Sequence, residues 1–276
     1  WRMTFRTLNE GEALAYKTMR MDRIFGNFII NKHRIDAIIY DRMTKSRHIM
    51  DIYGYCAFSG LFEYADGGYN LEDYLFEMKE GASLSKIERM KLALDVAEGL
   101  ADLHSIDSVN GHSAMVHSDV IVNQYVMTKS GFKLNDFNRG HLMYWNTTSN
   151  TSTCPYKSNE PNPGVQRAPE EIIYSNEQTE MIDTFSLGHI LFMILTSEES
   201  FDESKIDMEE VQEIVLKGGR PKYRKKFLES HHAVDRAIMK AIDMCFVQNW
   251  RKRHSSVEVR DYLAQQLEDI SRTRLL

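Results

Sequence analysis

The sequence predicts an α+β fold of two unequal lobes: a small β-rich lobe with one helix, then a larger, mainly helical lobe. Three observations predict it. Short apolar runs of strand character fill most of the first third, around one helically spaced segment. The run Ala65-Asp66-Gly67-Gly68 then breaks the pattern. Beyond it, apolar residues recur at helical spacing almost to the end of the chain.

Each element follows from its residues. Arg2 to Leu8 and Glu12 to Met19 read as two strands joined by the turn Asn9-Glu10-Gly11. Ile29, Ile35, Ile38, Ile39 and Met43 fall near helical spacing, which predicts a helix over 28–43. Ile49 to Tyr55 and Gly60 to Tyr64 read as two further strands. Residues 1–64 thus form a partial small lobe, 65–69 a hinge, and 70–276 the helical lobe. In that lobe, Asn70 to Met78 is a short helix, and Ser85-Lys86-Ile87-Glu88 is a capping box that opens a long one. Gln124 to Thr128 and Phe132 to Leu134 read as a hairpin about Lys129-Ser130-Gly131. Residues 145–164, rich in Thr, Ser, Asn and Pro, read as a long loop. Helices resume near Glu180 to Thr196, Met208 to Lys217, Ala233 to Phe246 and Val257 to Ile270.

Composition narrows the function classes. The 276 residues carry 34 Lys and Arg against 40 Asp and Glu, a formal charge of −6, which argues against a protein that coats nucleic acid. With 42% hydrophobic and 27% charged residues, collagen-like and wholly disordered chains are excluded. Cys56, Cys154 and Cys245 are too far apart for a disulfide framework or a zinc ribbon. They agree with a reducing, cytoplasmic setting. The longest apolar stretch, Leu187 to Leu195, is well short of the ~20 residues that span a bilayer, so no membrane segment is expected in this chain.

Three polar sites stand on loops or strand ends: Lys17 in Ala15-Tyr16-Lys17, His117-Ser118-Asp119 after the long helix, and Asp136-Phe137-Asn138 after the hairpin. Singly, each has an ordinary explanation, because a strand-end lysine is usually solvated and His-x-Asp arises often by chance. Their order is more specific. After them come Arg167-Ala168-Pro169-Glu170-Glu171 and Phe185-Ser186-Leu187-Gly188, and before them Gly99-Leu100-Ala101-Asp102-Leu103-His104. Over nearly its whole length the chain resembles the eukaryotic protein kinase superfamily.

The resemblance implies roles for particular residues. Lys17 resembles the lysine that contacts the α- and β-phosphates of ATP, and Asp36 takes the place of its carboxylate partner, where the family has Glu. Phe62 falls at the back of the nucleotide pocket, Glu63 and Ala65 offer hinge backbone groups to adenine, and Ala15 and Val126 sandwich the ring. Asp119 resembles the catalytic aspartate that orients the substrate hydroxyl and accepts its proton. Asp136 resembles the aspartate that holds Mg²⁺ (or Mn²⁺), with Gln124 where the family carries a second metal ligand, Asn, and Asn123 beside it. On a strand entry the Asn123 side chain is expected to point the other way. Glu170 is implied to pair with Arg253, and Asp183 to accept hydrogen bonds from the catalytic-loop backbone. Tyr40, Ile52, His117 and Phe137 are implied to stack as a column joining the lobes, and 136–170 to be the activation segment.

The chain departs from the family pattern at Ser118 (for Arg), Ile121 (for a phosphate-contacting Lys), Gln124 (for Asn), Asn138 (for Gly) and Asp36. The Gly-rich phosphate loop does not appear in the sixteen residues before Lys17, which is expected if Trp1 falls after it in a longer parent protein.

The implied activity is transfer of the γ-phosphoryl of Mg-ATP to a Ser or Thr (or Tyr) hydroxyl of a protein. The alternative is a pseudokinase, an ATP-binding or scaffold module that engages a partner protein without significant turnover. A small-molecule kinase of the aminoglycoside or choline type shares His-x-Asp, but not Ala168-Pro169-Glu170, Asp183 and Arg253. Weaker signals carry plain explanations. The sequons Asn146-Thr147-Thr148 and Asn150-Thr151-Ser152 arise readily in such a loop, and Arg220, Lys222, Arg224, Lys225 and Lys226 read as a solvated basic face.

Overall fold

A computed structural model describes residues 2–23, 26–78, 84–109, 111–146, 148–149, 151–152, 164–175, 177–202 and 204–273. Thr147, Asn150 and Cys154 lie outside the described residues.

The small lobe is a four-stranded antiparallel sheet and one helix. Strands β1 (Arg2–Asn9) and β2 (Glu12–Met19) pair about the turn at Glu10 and Gly11, with Thr4 opposite Lys17. Helix α1 (Asn27–Met43) buries Ile29, Asp36, Ile39, Tyr40 and Met43, whereas Ile38 of the predicting pattern is exposed and Ile35 half-buried, because Asp36 and Tyr40 take the core-facing positions instead. Strands β3 (Ile52–Cys56) and β4 (Ser59–Glu63) complete the sheet in the order β1-β2-β4-β3, with Ala15 opposite Phe62. β3 starts three residues later than the sequence pattern implies. Ile49 leaves the strand because it bridges in parallel to Leu134 of the helical lobe.

After β4 the chain crosses to the helical lobe and is tied to it at once. Gly67 donates to Met127 O at 3.4 Å and Met127 N donates to Tyr69 O at 3.1 Å. Helix α2 (Leu71–Phe76) opens on an Asn70–Asp73 capping box and ends two residues before the expected Met78. Helix α3 (Lys86–Ser105) opens on the Ser85–Glu88 capping box. Short strand β5 (Met115–Val116) leads into the loop that carries His117 and Asp119 and pairs with β8 (His141–Leu142). Between them, β6 (Tyr125–Thr128) and β7 (Gly131–Leu134) form the expected hairpin. The long 145–164 loop contains a small element absent from the expectation, β9 (Trp145–Asn146) paired with β10 (Thr151–Ser152).

The rest is helical: α4 (Pro169–Ile172), α5 (Met181–Thr196), α6 (Met208–Leu216), α7 (Lys225–Leu228), α8 (Ala233–Cys245) and α9 (Ser256–Thr273). α5 is the axis of the lobe. Every residue from Ile182 to Thr196 is buried, so this helix is apolar on all sides and packs between α3 and α8. His189 on α5 sits among Phe185, Phe201 and Phe246, and burial pushes its pKa down to about 3, so it is a neutral core residue. On the basic face, Arg220 pairs with Asp243, Arg224 with Glu198 and Lys225 with Glu229. No helix among the described residues is long and apolar enough to cross a membrane.

Candidate active site

The catalytic loop is held by the start of α5. Asp183 Oδ2 accepts from His117 N at 2.7 Å, and Oδ1 accepts from Ser118 N at 2.8 Å. His104 Nε2, at the end of α3, lies 3.1 Å from Asp183 Oδ2, and its Nδ1 lies 2.8 Å from Ser256 Oγ. This clamp compensates a strained backbone, because Ser118 has φ 62°, a left-handed conformation that costs a non-glycine residue about 1 kcal/mol or more. Asp119 N donates to His117 Nδ1 at 3.3 Å, which leaves the ring proton on Nε2, 3.1 Å from Asn135 O.

Lys17 and Asp36 do not form the expected ion pair. Asp36 Oδ2 is 2.7 Å from Arg2 Nη1, and Arg2 Nε donates to His33 Nδ1 at 2.9 Å. Lys17 Nζ instead donates to Asn135 Oδ1 at 2.9 Å and stands over the Phe62 ring at 4.7 Å. Asp is one methylene shorter than the Glu that the resemblance implies, and the long Arg2 side chain on β1 reaches what Lys17 on β2 does not. Burial, partly offset by Asp36 and Asp136, lowers the Lys17 pKa, and burial raises that of Asp36 despite Arg2. His33, half-buried and beside the Arg2 charge, is pushed down to about 4 and is neutral at pH 7.

A polar relay joins α1 to the Asp-Phe-Asn segment. Tyr40 Oη donates to Asn135 Oδ1 at 2.6 Å and accepts from Asp136 N at 2.8 Å. Asp136 itself has φ 63°, and its Oδ1 accepts from Asn138 Nδ2 at 2.5 Å. The Tyr40 ring meets Phe62 at 4.9 Å and Phe137 at 4.7 Å, and Phe137 meets His117 at 5.1 Å. Ile52 is buried in the same core and pairs with Phe62. Gly140 lets this segment pass close to α1, since a Cβ there would lie 2.7 Å from Ile39 Cδ1 and 2.9 Å from Phe137 O.

Asp119 is ion-paired within the chain. Its Oδ1 lies 2.7 Å from Arg167 Nη2, and its Oδ2 accepts from Gln124 Nε2 at 3.2 Å and lies 3.9 Å from Arg139 Nε. Arg167 is buried and also donates to Ser118 O at 3.3 Å. Burial raises the Asp119 carboxyl, but the Arg167 guanidinium outweighs it and holds the pKa below the usual range. The Arg167, Arg2 and Asn135 contacts are absent from the sequence-based expectations. Nothing periodic marks them, although Arg167 adjoins Ala168-Pro169-Glu170 and Asn135 precedes Asp136.

These groups meet at one cavity of about 560 Å³, whose wall includes Arg2, Lys17, His33, Asp119, Asp136 and Asn138. Ala15, Phe62, Glu63, Ala65 and Val126, expected around adenine, are not on that wall. Ala15 and Phe62 are buried across from each other in the sheet, and the Glu63 carboxylate is taken by Lys133 Nζ at 2.8 Å.

The expected metal set is not assembled. A magnesium site uses one or two carboxylates together with substrate phosphates. Asn123 is hydrogen-bonded through its side-chain nitrogen to Glu72 on α2, and Gln124 turns its amide nitrogen to Asp119. Of the three residues, Asp136 alone faces the cavity. Among the described residues there is no cluster of three His, Cys, Asp or Glu side chains placed to hold a metal.

Farther from the cavity, Glu170 and Arg253 form a two-pronged ion pair at 2.7 and 3.0 Å. Arg253 also donates to Val247 O at 2.9 Å and Met181 O at 2.5 Å, which fastens α4 to the lobe.

The comparisons with known proteins point the same way. The protein kinase domain model matches residues 4–266. Receptor-like kinase TMK4 of Arabidopsis thaliana is 27% identical over 72% of this chain and 21% of its own length. Probable serine/threonine-protein kinase PBL28 of the same plant is 32% identical over 50% of this chain and 36% of its own. Dual specificity protein kinase shkC of Dictyostelium discoideum is 27% identical over 84% of this chain and 44% of its own. The chain thus spans less than half the length of these relatives. Kinase domains of this kind generally use ATP with a divalent metal and act on proteins. With the two-lobed fold, the clamped catalytic loop and a family match over residues 4–266, this chain belongs to the protein kinase domain family.

Proposed function

We propose that this domain binds ATP in the cleft and transfers its γ-phosphoryl group to a hydroxyl of a protein. The observation that carries this is the meeting of Lys17, Asp119 and Asp136 on the wall of one cavity. Lys17 and Arg2 present positive charge to the phosphates. Asp119 orients the acceptor hydroxyl and takes its proton as the oxygen bonds to the γ-phosphorus and the bond to the β-phosphate oxygen breaks. For that step Arg167 has to give up the Asp119 oxygen it holds. The acceptor is Ser, Thr or Tyr, and the serine/threonine and dual-specificity names of two relatives support that range. The test is transfer of labelled γ-phosphate from Mg- or Mn-ATP to the chain itself and to a generic protein acceptor, with Asp119→Asn as control. Signal that disappears in the control supports the proposal, and signal equal to the control refutes it.

The second reading is a scaffold module without turnover. Specific observations favour it: the Arg167–Asp119 ion pair and the hydrogen bonds of Gln124 to Asp119 and of Asn123 to Glu72. Gln124→Asn discriminates, because it releases Asp119 Oδ2 and restores the family's residue. Increased transfer supports the enzyme. No change, on a baseline no higher than that of Asp119→Asn, supports the scaffold.

A further inference from the structure

We propose that the cleft holds the nucleotide triphosphate through protein cations alone, Lys17 and Arg2 first, so that ATP binding needs no divalent ion. This rests on the reading of the cavity as the nucleotide site and goes beyond it.

The carboxylates come first. A polyphosphate entering a site with unpaired aspartates is repelled unless a metal bridges the two sets of negative charges. Here the chain supplies a cation for one of the two cavity aspartates, Asp119, and a neutral amide for the other, Asp136. Asp119 is ion-paired with Arg167 at 2.7 Å and accepts a further hydrogen bond from Gln124. Asp136 Oδ1 accepts from the Asn138 amide. With Asn123 bound to Glu72 and the Gln124 amide nitrogen on Asp119, Asp136 is the residue of the expected set that faces the cavity, at the low end of the one or two carboxylates a magnesium site uses.

The cations are poised the opposite way. Lys17 Nζ has no carboxylate within ion-pair distance among the described residues, and its hydrogen-bond partner is the neutral amide oxygen of Asn135. A buried ammonium with a neutral partner gains from an anion. Arg2 spends Nη1 on Asp36 and Nε on His33, while its buried Nη2 has no partner. An unsatisfied buried donor costs free energy that a phosphate oxygen would recover. Both side chains are on the wall of the 560 Å³ cavity, where Lys32 and Arg139 add to the positive field. The substitutions that thin out the metal site and the contacts that concentrate positive charge therefore occur in one place. Arg2 links them, because by taking Asp36 it leaves Lys17 to the ligand.

The experiment is calorimetric titration of the whole chain with ATP, and separately with inorganic tripolyphosphate, in EDTA and in excess Mg²⁺. The expected result is that ATP binds in EDTA as tightly as in Mg²⁺, and that tripolyphosphate binds in EDTA too. Lys17→Met, checked for an unchanged unfolding transition, is expected to weaken binding in EDTA about tenfold or more, and Arg2→Gln serves as a second cation variant. Binding in Mg²⁺ that vanishes in EDTA overturns the proposal and leaves the cleft a metal-dependent nucleotide site. Binding in neither buffer overturns the nucleotide reading as well.

Discussion

Replacing Arg167 by leucine isolates the most unusual contact in the site. The pair is largely out of water, with side-chain exposures of 5% for Arg167 and 16% for Asp119. Breaking a buried pair from one side typically costs about 3–5 kcal/mol, because the other charge stays buried. Asp119 keeps the Gln124 amide at 3.2 Å and the Arg139 guanidinium at 3.9 Å, so the expected loss is at the lower end, about 3 kcal/mol at pH 7. The pH dependence separates charge from packing. In the native chain the Asp119 pKa is depressed, since Arg167 outweighs burial. That depression contributes stability above the unfolded value of about 3.9, and the contribution is lost as pH falls through the folded value. In Arg167→Leu burial acts with less opposition and the folded pKa rises, so the variant's penalty is present at neutral pH and relieved as the carboxyl protonates. Urea unfolding of both chains at pH 7 and about pH 4 measures the gap, which should shrink on acidification. A gap equal at the two pH values, or below about 1 kcal/mol at pH 7, would refute a buried charge pair.

Four further outcomes follow from the same geometry. Tyr40→Phe removes a donor to Asn135 and leaves the Asp136 amide without its acceptor, and should cost about 1–3 kcal/mol in urea unfolding. Gly140→Ala places a methyl group 2.7 Å from Ile39 Cδ1 and 2.9 Å from a backbone oxygen, so it should cost about 1–3 kcal/mol and weaken ATP binding as α1 is displaced. Arg253→Met leaves Glu170 buried without its cation and should lose about 3–5 kcal/mol, seen as a lowered denaturant midpoint. Glu171 is buried and pushed up to about 7, so it folds protonated in acid, and its ionisation erodes stability as pH rises from the unfolded value towards and past 7. Glu171→Gln should therefore match the native chain near pH 4.5 and exceed it above pH 7 by up to about 3 kcal/mol in urea unfolding.

Much of the architecture is legible locally. The Ser85–Glu88 box opens α3, Ile29, Ile39 and Met43 of the expected stripe lie on the buried face of α1, and the apolar run from Leu187 to Leu195 lies in the buried axis α5. The Asp183 contacts to His117 and Ser118 and the Glu170–Arg253 pair are where the resemblance puts them. The expectations fail where a partner is chosen by reach across the fold. Asp36 pairs with Arg2, which is 34 residues away, and Asp119 with Arg167, which is 48 residues away. The Tyr40 hydroxyl looks like filler in an apolar stripe until Asn135 and the Asp136 amide are set around it.

The sequence by itself determined the two lobes, most helix starts and the positions of Lys17, Asp119 and Asp136. Those rest on hydrophobic period, capping and turn chemistry, which act over a few residues. Only the tertiary structure decided which charges meet Asp36 and Asp119. An ion pair depends on side-chain length, strand register and burial together, and here that combination gives the Asp36 carboxylate to Arg2 and leaves Lys17 on the Asn135 amide.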